Sequence, residues 1–316
     1  MLIDRLKKQI IHKQIRIVFP ETNDVRIFNA AKRLAAEKLL VPVMIGDKES
    51  YEHVEGMEFI HPATYPERHE IKTAVMARRD GKLTSEQADE LLLQPTYFGT
   101  SLVFAGKADG LIAGATQSTG DTVRPALQLI KTKPTITKTF GYFIMLRDEE
   151  MYLMGDCAIN PDPNATELAE FAVELGKVSK GYGVEPKVAM LSFSTAGSAD
   201  TVHTQKIKEA TNIAKTMAPS LLVDGEMQFD AAVDPIVGQS KFPGSKVAGY
   251  ANTFIFPDLN AGNIGYKMVQ RLGGFDAVGP FLAGLNAPVN DLSRGCSEED
   301  VYLTAIVTAS QTLSHD

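Results

Sequence analysis

Between Ser293 and Asp300 the chain packs two hydroxyls, a guanidinium, a glycine, a thiol and three carboxylates into eight positions. The residues that follow, Val301 to Val307, carry a helical pattern. Ser297 with an acid at Asp300 is a capping box, which predicts a helix that begins at Ser297. Ser293, Arg294 and Gly295 then stand in the turn before a helix N-terminus. Free backbone N–H groups and the positive end of the helix dipole attract an anion there. Taken singly these residues have ordinary structural accounts, since acids in a first turn complement the dipole and serine caps helices. Arg294 changes the balance, because a guanidinium beside such a turn makes a fork for phosphate.

Other chemistries find less support. Cys296 lies near the helix N-terminus, which would lower a thiol pKa, but none of the histidines can be placed beside it. A buried or cap-adjacent thiol is the simpler reading. His12, His53, His61, His69, His203 and His315 are scattered without a His-x-x-x-His pair, so no zinc site is expected. Gly-x-Ser-x-Gly, the mark of a serine hydrolase elbow, is absent.

The bulk of the chain sets the frame for this stretch. With 316 residues it suits two α/β domains. A net charge of −7 argues against general binding to nucleic acid or anionic membranes, without excluding a local basic pocket. Cys157 and Cys296 are too few for a disulfide framework, so a reducing compartment, by default the cytoplasm, is expected. Met1 to Gln14 reads as an amphipathic, Lys-containing segment without the long apolar run of a secretion signal, and no apolar run approaches membrane-spanning length.

The elements that must position the turn follow a strand–helix rhythm. Ile15–Phe19 and Leu40–Ile45 read as strands around a helix over 24–39, with a further short strand at 58–60. A helix over 66–79 ends in Arg78 and Arg79, basic residues that ordinarily complement a helix C-terminus. Thr84 with Gln87 opens the next helix. The strand at 108–114 runs into Ala115-Thr116-Gln117-Ser118-Thr119-Gly120, and a helix is expected from about Asp121. This small-residue loop is a plausible phosphate cradle, although it is neither a Walker A loop nor G-x-G-x-x-G.

Farther on, Phe140–Leu146 and Met151–Cys157 predict a hairpin, and 164–181 predicts a long helix closed by glycine. Strands at 188–193, 221–223 and 251–256 each lead into a polar loop, where open α/β sheets collect ligands. Asp224, Glu226 and Asp258 fit no metal spacing and read as hydrogen-bonded loop carboxylates. No metal is expected.

Several long stretches, in order, resemble one enzyme family. Asn290-Asp291-Leu292-Ser293-Arg294-Gly295-Cys296-Ser297 with Asp300 is similar to the C-terminal signature of the phosphate acetyltransferases (phosphotransacetylases) of the phosphate acetyl/butyryltransferase family. Asp121-Thr122-Val123-Arg124-Pro125, the run from Lys187 to Thr195, and Phe256-Pro257-Asp258-Leu259-Asn260 resemble it too, so the likeness spans essentially the whole chain. It implies two α/β domains with mostly parallel sheets of isocitrate/isopropylmalate-dehydrogenase-like type, 1–139 plus 287–316 and 140–286, an active site in the interdomain cleft, and a homodimer. The implied reaction is acetyl-CoA + phosphate ⇌ acetyl phosphate + CoA, with coenzyme A and phosphate as substrates and no cofactor.

On this resemblance, Asp300 is the expected base for the coenzyme A thiol, Ser293 the oxyanion donor and Arg294 the phosphoryl ligand. Arg78, Arg124, Ser118, Thr119 and Asn290 are expected to contact coenzyme A or phosphate. An ordinary Asp pKa near 3.9 is far below that of a thiol. The role therefore calls for a partly desolvated Asp300 with a raised pKa, or for a driving force from Arg294 on the product side. The alternatives are a phosphate butyryl- or propionyltransferase and a non-catalytic acyl-CoA-sensing module. Retention of Ser293, Arg294 and Asp300 disfavours the sensor.

Overall fold

The computed structural model describes residues 2–46 and 54–313; His53 and His315 lie outside the described residues. The chain forms two compact units, Met1–Lys131 with Leu285–Asp316, and Thr132–Gly284. The second unit thus begins eight residues before the expected Phe140 and ends two before the expected Asn286. Hydrogen bonds explain the shift. Lys133 and Thr137 hold Glu174 and Glu170 at 2.6–2.8 Å, Lys138 pairs with Glu167 at 2.8 Å, and the Thr139 hydroxyl donates to the Ala283 carbonyl. Asn286 instead donates to the Ile130 carbonyl, which binds it to the first unit.

The first unit opens with α1 (Leu2–Ile10), whose Leu2, Leu6 and Ile10 are buried. It continues through β1 (Arg16–Phe19), α2 (Val25–Ala36), β2 (Val41–Ile45), β3 (Glu58–Ile60), α3 (Arg68–Arg79), α4 (Ser85–Leu91), α5 (Pro95–Phe104), β4 (Gly110–Ala113) and α6 (Thr119–Leu129). The caps follow the local sequence. Asp24 accepts the Arg26 N–H at the start of α2, and Thr84 with Gln87 forms the expected capping box of α4. Helix α6 starts two residues before the expected Asp121, because the Ser118 hydroxyl donates to Asp121 at 2.7 Å and caps it.

The second unit comprises β5 (Phe140–Arg147), β6 (Glu150–Gly155), α7 (Ala165–Gly181), β7 (Lys187–Leu191), α8 (Val202–Met217), β8 (Leu222–Met227), α9 (Phe229–Val233), α10 (Pro235–Lys241), β9 (Thr253–Ile255), α11 (Leu259–Gly273) and β10 (Asp276–Ala283). Its sheet runs β10-β5-β6-β9-β7-β8. The expected hairpin is the antiparallel pair β5–β6; β10 adds antiparallel to β5, and the remaining pairs are parallel. Phe143, Met154, Ala189, Met227 and Phe254 meet in its core. Two of the expected polar loops are regular instead. Asp224 and Glu226 lie within β8, and Asp258 caps α11, accepting the Ala261 N–H at 3.0 Å.

The chain then returns to the first unit as β11 (Val289–Asp291) and α12 (Glu298–Thr312). Strand β11 pairs parallel with β4, completing the order β11-β4-β1-β2-β3, parallel throughout among the described residues. Tyr302, Ala305, Ile306 and Ala309 of α12 are buried, and the helix packs against α1, α2, β1 and β4. Burial of that size stabilises by roughly 1.5–3 kcal/mol per large apolar side chain. It fixes the start of α12 relative to the carboxyl ends of the strands.

Candidate active site

Ser293 to Cys296 form a tight turn, with the Cys296 N–H on the Ser293 carbonyl at 2.9 Å. Ahead of it the Leu292 N–H donates to the Ala113 carbonyl at 2.6 Å, anchoring the turn to β4. Ser293, Arg294 and Gly295 are exposed. The Gly295 N–H donates to Ser293 Oγ at 3.2 Å, which leaves the Ser293 hydroxyl proton to be donated elsewhere. The Arg294 guanidinium makes no hydrogen bond or ion pair among the described residues. Ser297 caps α12 as expected. Asp300 Oδ2 accepts both the Ser297 N–H and hydroxyl at 2.8 Å, so Oδ1 is the carboxylate oxygen left open.

Of the two routes open to Asp300, desolvation is not the one the structure offers, whereas the buried thiol expected at Cys296 is found. Asp300 is exposed rather than desolvated, because the N3 position of a capping box points along the helix start into solvent. Cys296 is buried, and burial pushes its thiol pKa up despite the neighbouring Arg26. A thiol held protonated in this way is a poor nucleophile.

The backbone of the turn is clamped by Arg26. Its guanidinium donates to the carbonyls of Arg294 at 3.0 Å, Cys296 at 2.7 Å and Ala115 at 3.0 Å, and also pairs with Asp24 at 2.7 Å. The guanidinium in turn holds the Asp24 carboxyl below its ordinary range. Arg26 thereby joins the turn before α12 to the loop after β4. That loop has its own clamp. Glu21, just past β1, accepts the N–H groups of Gly114, Ala115 and Thr116 at 2.7–3.0 Å and the Thr116 hydroxyl at 2.7 Å. Gly114 has a φ of 115°, and a Cβ there would collide with Asp291 Oδ1 and the Leu292 backbone, so only glycine fits.

Thr119 donates to Asp291 Oδ2 at 2.6 Å, joining the first turn of α6 to β11. Asp291 is 5% exposed, and its other oxygen has no hydrogen-bond partner among the described residues. Burial raises its pKa, partly offset by the Thr119 and Thr122 hydroxyls. Ser118 is spent on capping α6. Asn290 is corrected too. It is 0% exposed, and its amide donates to Thr308 and Gln311 at 2.8 and 2.7 Å, so it ties β11 to α12 instead of meeting a ligand.

From Gly120 a basic groove of about 530 Å³ runs between α3 and α6, lined by Arg78, Arg79, Lys82, Arg124 and Lys131 with Asp80 as its one acid. Arg78 spends Nε and one amino group on the Leu129 and Ile130 carbonyls, at 2.7 and 3.1 Å, and lies over the Phe104 ring. Arg79 is the freer cation, with a buried Nε that has no hydrogen-bond partner among the described residues. Arg124 is mostly exposed, 4.0 Å from Asp121. The structure thus gathers Ser293, Arg294, Asp300 and Thr119 around one end of the sheet, and places Arg78 and Arg124 in the adjoining groove. Among the described residues no cluster of three or more His, Cys, Asp or Glu could hold a metal ion.

The family model for phosphate acetyl/butaryl transferase matches residues 1–309. The chain belongs to this family. It is 51% identical to the phosphate acetyltransferase of Staphylococcus aureus (strain Mu50 / ATCC 700699), over 99% of each chain. A phosphotransacetylase structure from Streptococcus pyogenes superposes with a TM-score of 0.95 at 50% identity, covering 99% of this chain and 98% of that one. At the level of fold alone, a Salmonella typhimurium chain assigned as a 4-hydroxythreonine-4-phosphate dehydrogenase matches with a TM-score of 0.52 at 12% identity, over 94% of this chain and 99% of that one. The fold is accordingly dehydrogenase-like α/β, as expected. Among the described residues no helix is long and apolar enough to cross a membrane.

In this family member Glu21 and Arg26 belong to none of the sequence motifs, while Arg79 shows there only as a base at a helix C-terminus and Asp291 only within the C-terminal signature. Glu21 and Arg26 flank the end of β1, where an α/β sheet collects ligands, so their position was a signal. Their partners, 89 to 270 residues away, were not.

Proposed function

We propose that this chain catalyses reversible acetyl transfer between coenzyme A and phosphate, acetyl-CoA + phosphate ⇌ acetyl phosphate + CoA. The observation that carries the proposal is an Arg294 guanidinium that is free among the described residues, on a backbone fixed by Arg26, beside a Ser293 hydroxyl whose proton is likewise unused among them. Identity of 51% to a phosphate acetyltransferase over the full chain supports it.

In the direction of acetyl-CoA synthesis, Asp300 Oδ1 takes the proton of the coenzyme A thiol. The sulfur attacks the acetyl carbonyl, forming the S–C bond and a tetrahedral oxyanion that accepts the Ser293 O–H. Collapse breaks the bond between the acetyl carbon and the bridging oxygen, which stays with phosphorus, and phosphate leaves on Arg294 carrying the proton that Asp300 took from the thiol. A free thiol, pKa about 8.5, is only a few per cent thiolate at neutral pH. With Asp300 exposed, the driving force comes from Arg294, whose charge favours the thiolate and the leaving phosphate. The basic groove at Arg79 and Arg124 receives the phosphates of coenzyme A.

Acetyl phosphate formation, trapped as the hydroxamate, tests these roles. Asp300→Asn and Arg294→Gln are each expected to lower kcat by about 10²-fold or more. Turnover near wild type in either would remove that residue from the mechanism. Ser293→Ala is expected to lower kcat as well; an effect on affinity alone would end its oxyanion role.

The homodimer implied by the resemblance has a candidate face in the second unit. Ile264, Met268 and Leu272 stand at successive turns of α11 and are 57%, 54% and 82% exposed. An apolar stripe of this kind marks an interaction surface, here one for a second copy of the chain. Two free thiols, Cys157 and Cys296, fit a reducing compartment such as the cytoplasm.

A further inference from the structure

In the first unit the chain moves outward from β1 through β2 to β3, then crosses to β4 on the other side of β1. The crevice between β1 and β4 is therefore the topological switch point, the place where open α/β sheets bind ligands at their carboxyl ends. Helices α2 and α6 both begin there. The β4 loop offers three successive backbone N–H groups and one hydroxyl, a concave nest suited to an anion. Glu21 fills it. Oε2 accepts Gly114 and Ala115 at 2.8 and 3.0 Å, and Oε1 accepts Thr116 N and Oγ1, both at 2.7 Å.

We propose that Glu21 is a built-in anion at the switch point, a positioning residue that holds the β4 loop so that the loop can in turn set the Ser293–Arg294 turn. The coupling is a continuous series of hydrogen bonds. Glu21 fixes residues 114–116; the Ala115 carbonyl receives Arg26; the same guanidinium receives the Arg294 and Cys296 carbonyls. A second link runs through the strands, since the Ala113 carbonyl takes the Leu292 N–H just ahead of Ser293. With the nest filled, substrate phosphate is kept out of the switch point and left to Arg294 and the basic groove.

The kinetic arm of the test rests on the proposed transferase activity, and the thermal arm does not. Glu21→Ala empties the nest in the full chain, and formate, a small carboxylate, is supplied to refill it. The expected kcat falls by roughly 10–100-fold with less change in KM, the size of effect produced by misplacing a catalytic group by about 1 Å. Formate is expected to restore part of that kcat and to raise the melting temperature of the variant by on the order of 2–4 °C, with no such effects on wild type. A kcat within about twofold of wild type, or a variant that formate neither stabilises nor reactivates, overturns the proposal. If Glu21→Ala does not fold, Glu21→Gln keeps the volume but, in either orientation of its amide, turns an NH2 group toward at least one backbone N–H donor. It is expected to lose kcat without a response to formate, and wild-type turnover in that variant overturns the proposal equally.

Discussion

Replacing Arg26 by Lys tests how far the turn before α12 depends on its clamp. The substitution keeps the charge but removes the planar fork that reaches three carbonyls at once. The Arg294 carbonyl is exposed and can turn to water, whereas those of Cys296 and Ala115 are partly buried. A buried acceptor left without a partner costs about 1–3 kcal/mol. Lys can recover one of the two, and Asp24 keeps its capping bond to the backbone of residue 26. The net loss is then that of one acceptor, about 1–3 kcal/mol, or roughly 2–12 °C in the melting temperature of a unit this size. Function is expected to suffer more than stability. An unclamped turn lets Ser293 and Arg294 wander by a fraction of an ångström to an ångström, enough for about 10²-fold in kcat. Initial rates of thiol release, measured against acetyl-CoA and phosphate at a temperature where the variant is fully folded, separate kcat from KM. A fully folded Arg26→Lys with kcat within threefold of wild type would refute the reasoning, because the turn would then hold its geometry without the fork.

Three further outcomes are expected. Arg79→Gln removes a free cation from the basic groove and should raise KM for acetyl-CoA by about tenfold, about 1.4 kcal/mol, with kcat nearly unchanged; an unaltered KM would place the coenzyme elsewhere. Asp291 has a folded pKa above its ordinary 3.8, so its contribution to stability is whole below that value and is lost as pH rises through the folded pKa. The melting temperature of Asp291→Asn relative to wild type should therefore be higher at pH 7 than at pH 4, and a difference independent of pH would contradict the burial argument. Leu272→Asp is expected to shift the chain from dimer to monomer in light scattering, and an unchanged mass would remove α11 from the interface.

Much of this architecture could be read from local signals. The capping boxes at Thr84 and Ser297, the helix from about 164, the β5–β6 hairpin and the strands near 16, 41 and 188 all appear where short-range rules put them. Helix α5 escaped because it is buried from Thr96 to Val103 on every side and so lacks the apolar period that reveals a surface helix. Strand β11, Val-Asn-Asp, is too short and polar to read as a strand, and is defined by its pairing with β4. At the candidate site, the turn holding Ser293 and Arg294 and the helix start holding Asp300 follow from one local capping signal. Asn290 lies beside them in sequence yet faces the core, since a strand alternates its side chains. Glu21, Arg26 and Asp291 act through contacts made only when β1, β4 and β11 lie side by side.

The central claim is direct transfer of the acetyl group to phosphate at the Ser293–Arg294 turn. Thiol release from acetyl-CoA, followed with a thiol reagent in the presence and absence of phosphate, tests it most directly. The account predicts release that requires phosphate and is abolished in Arg294→Gln. Equal release without phosphate would mean hydrolysis, and would contradict it.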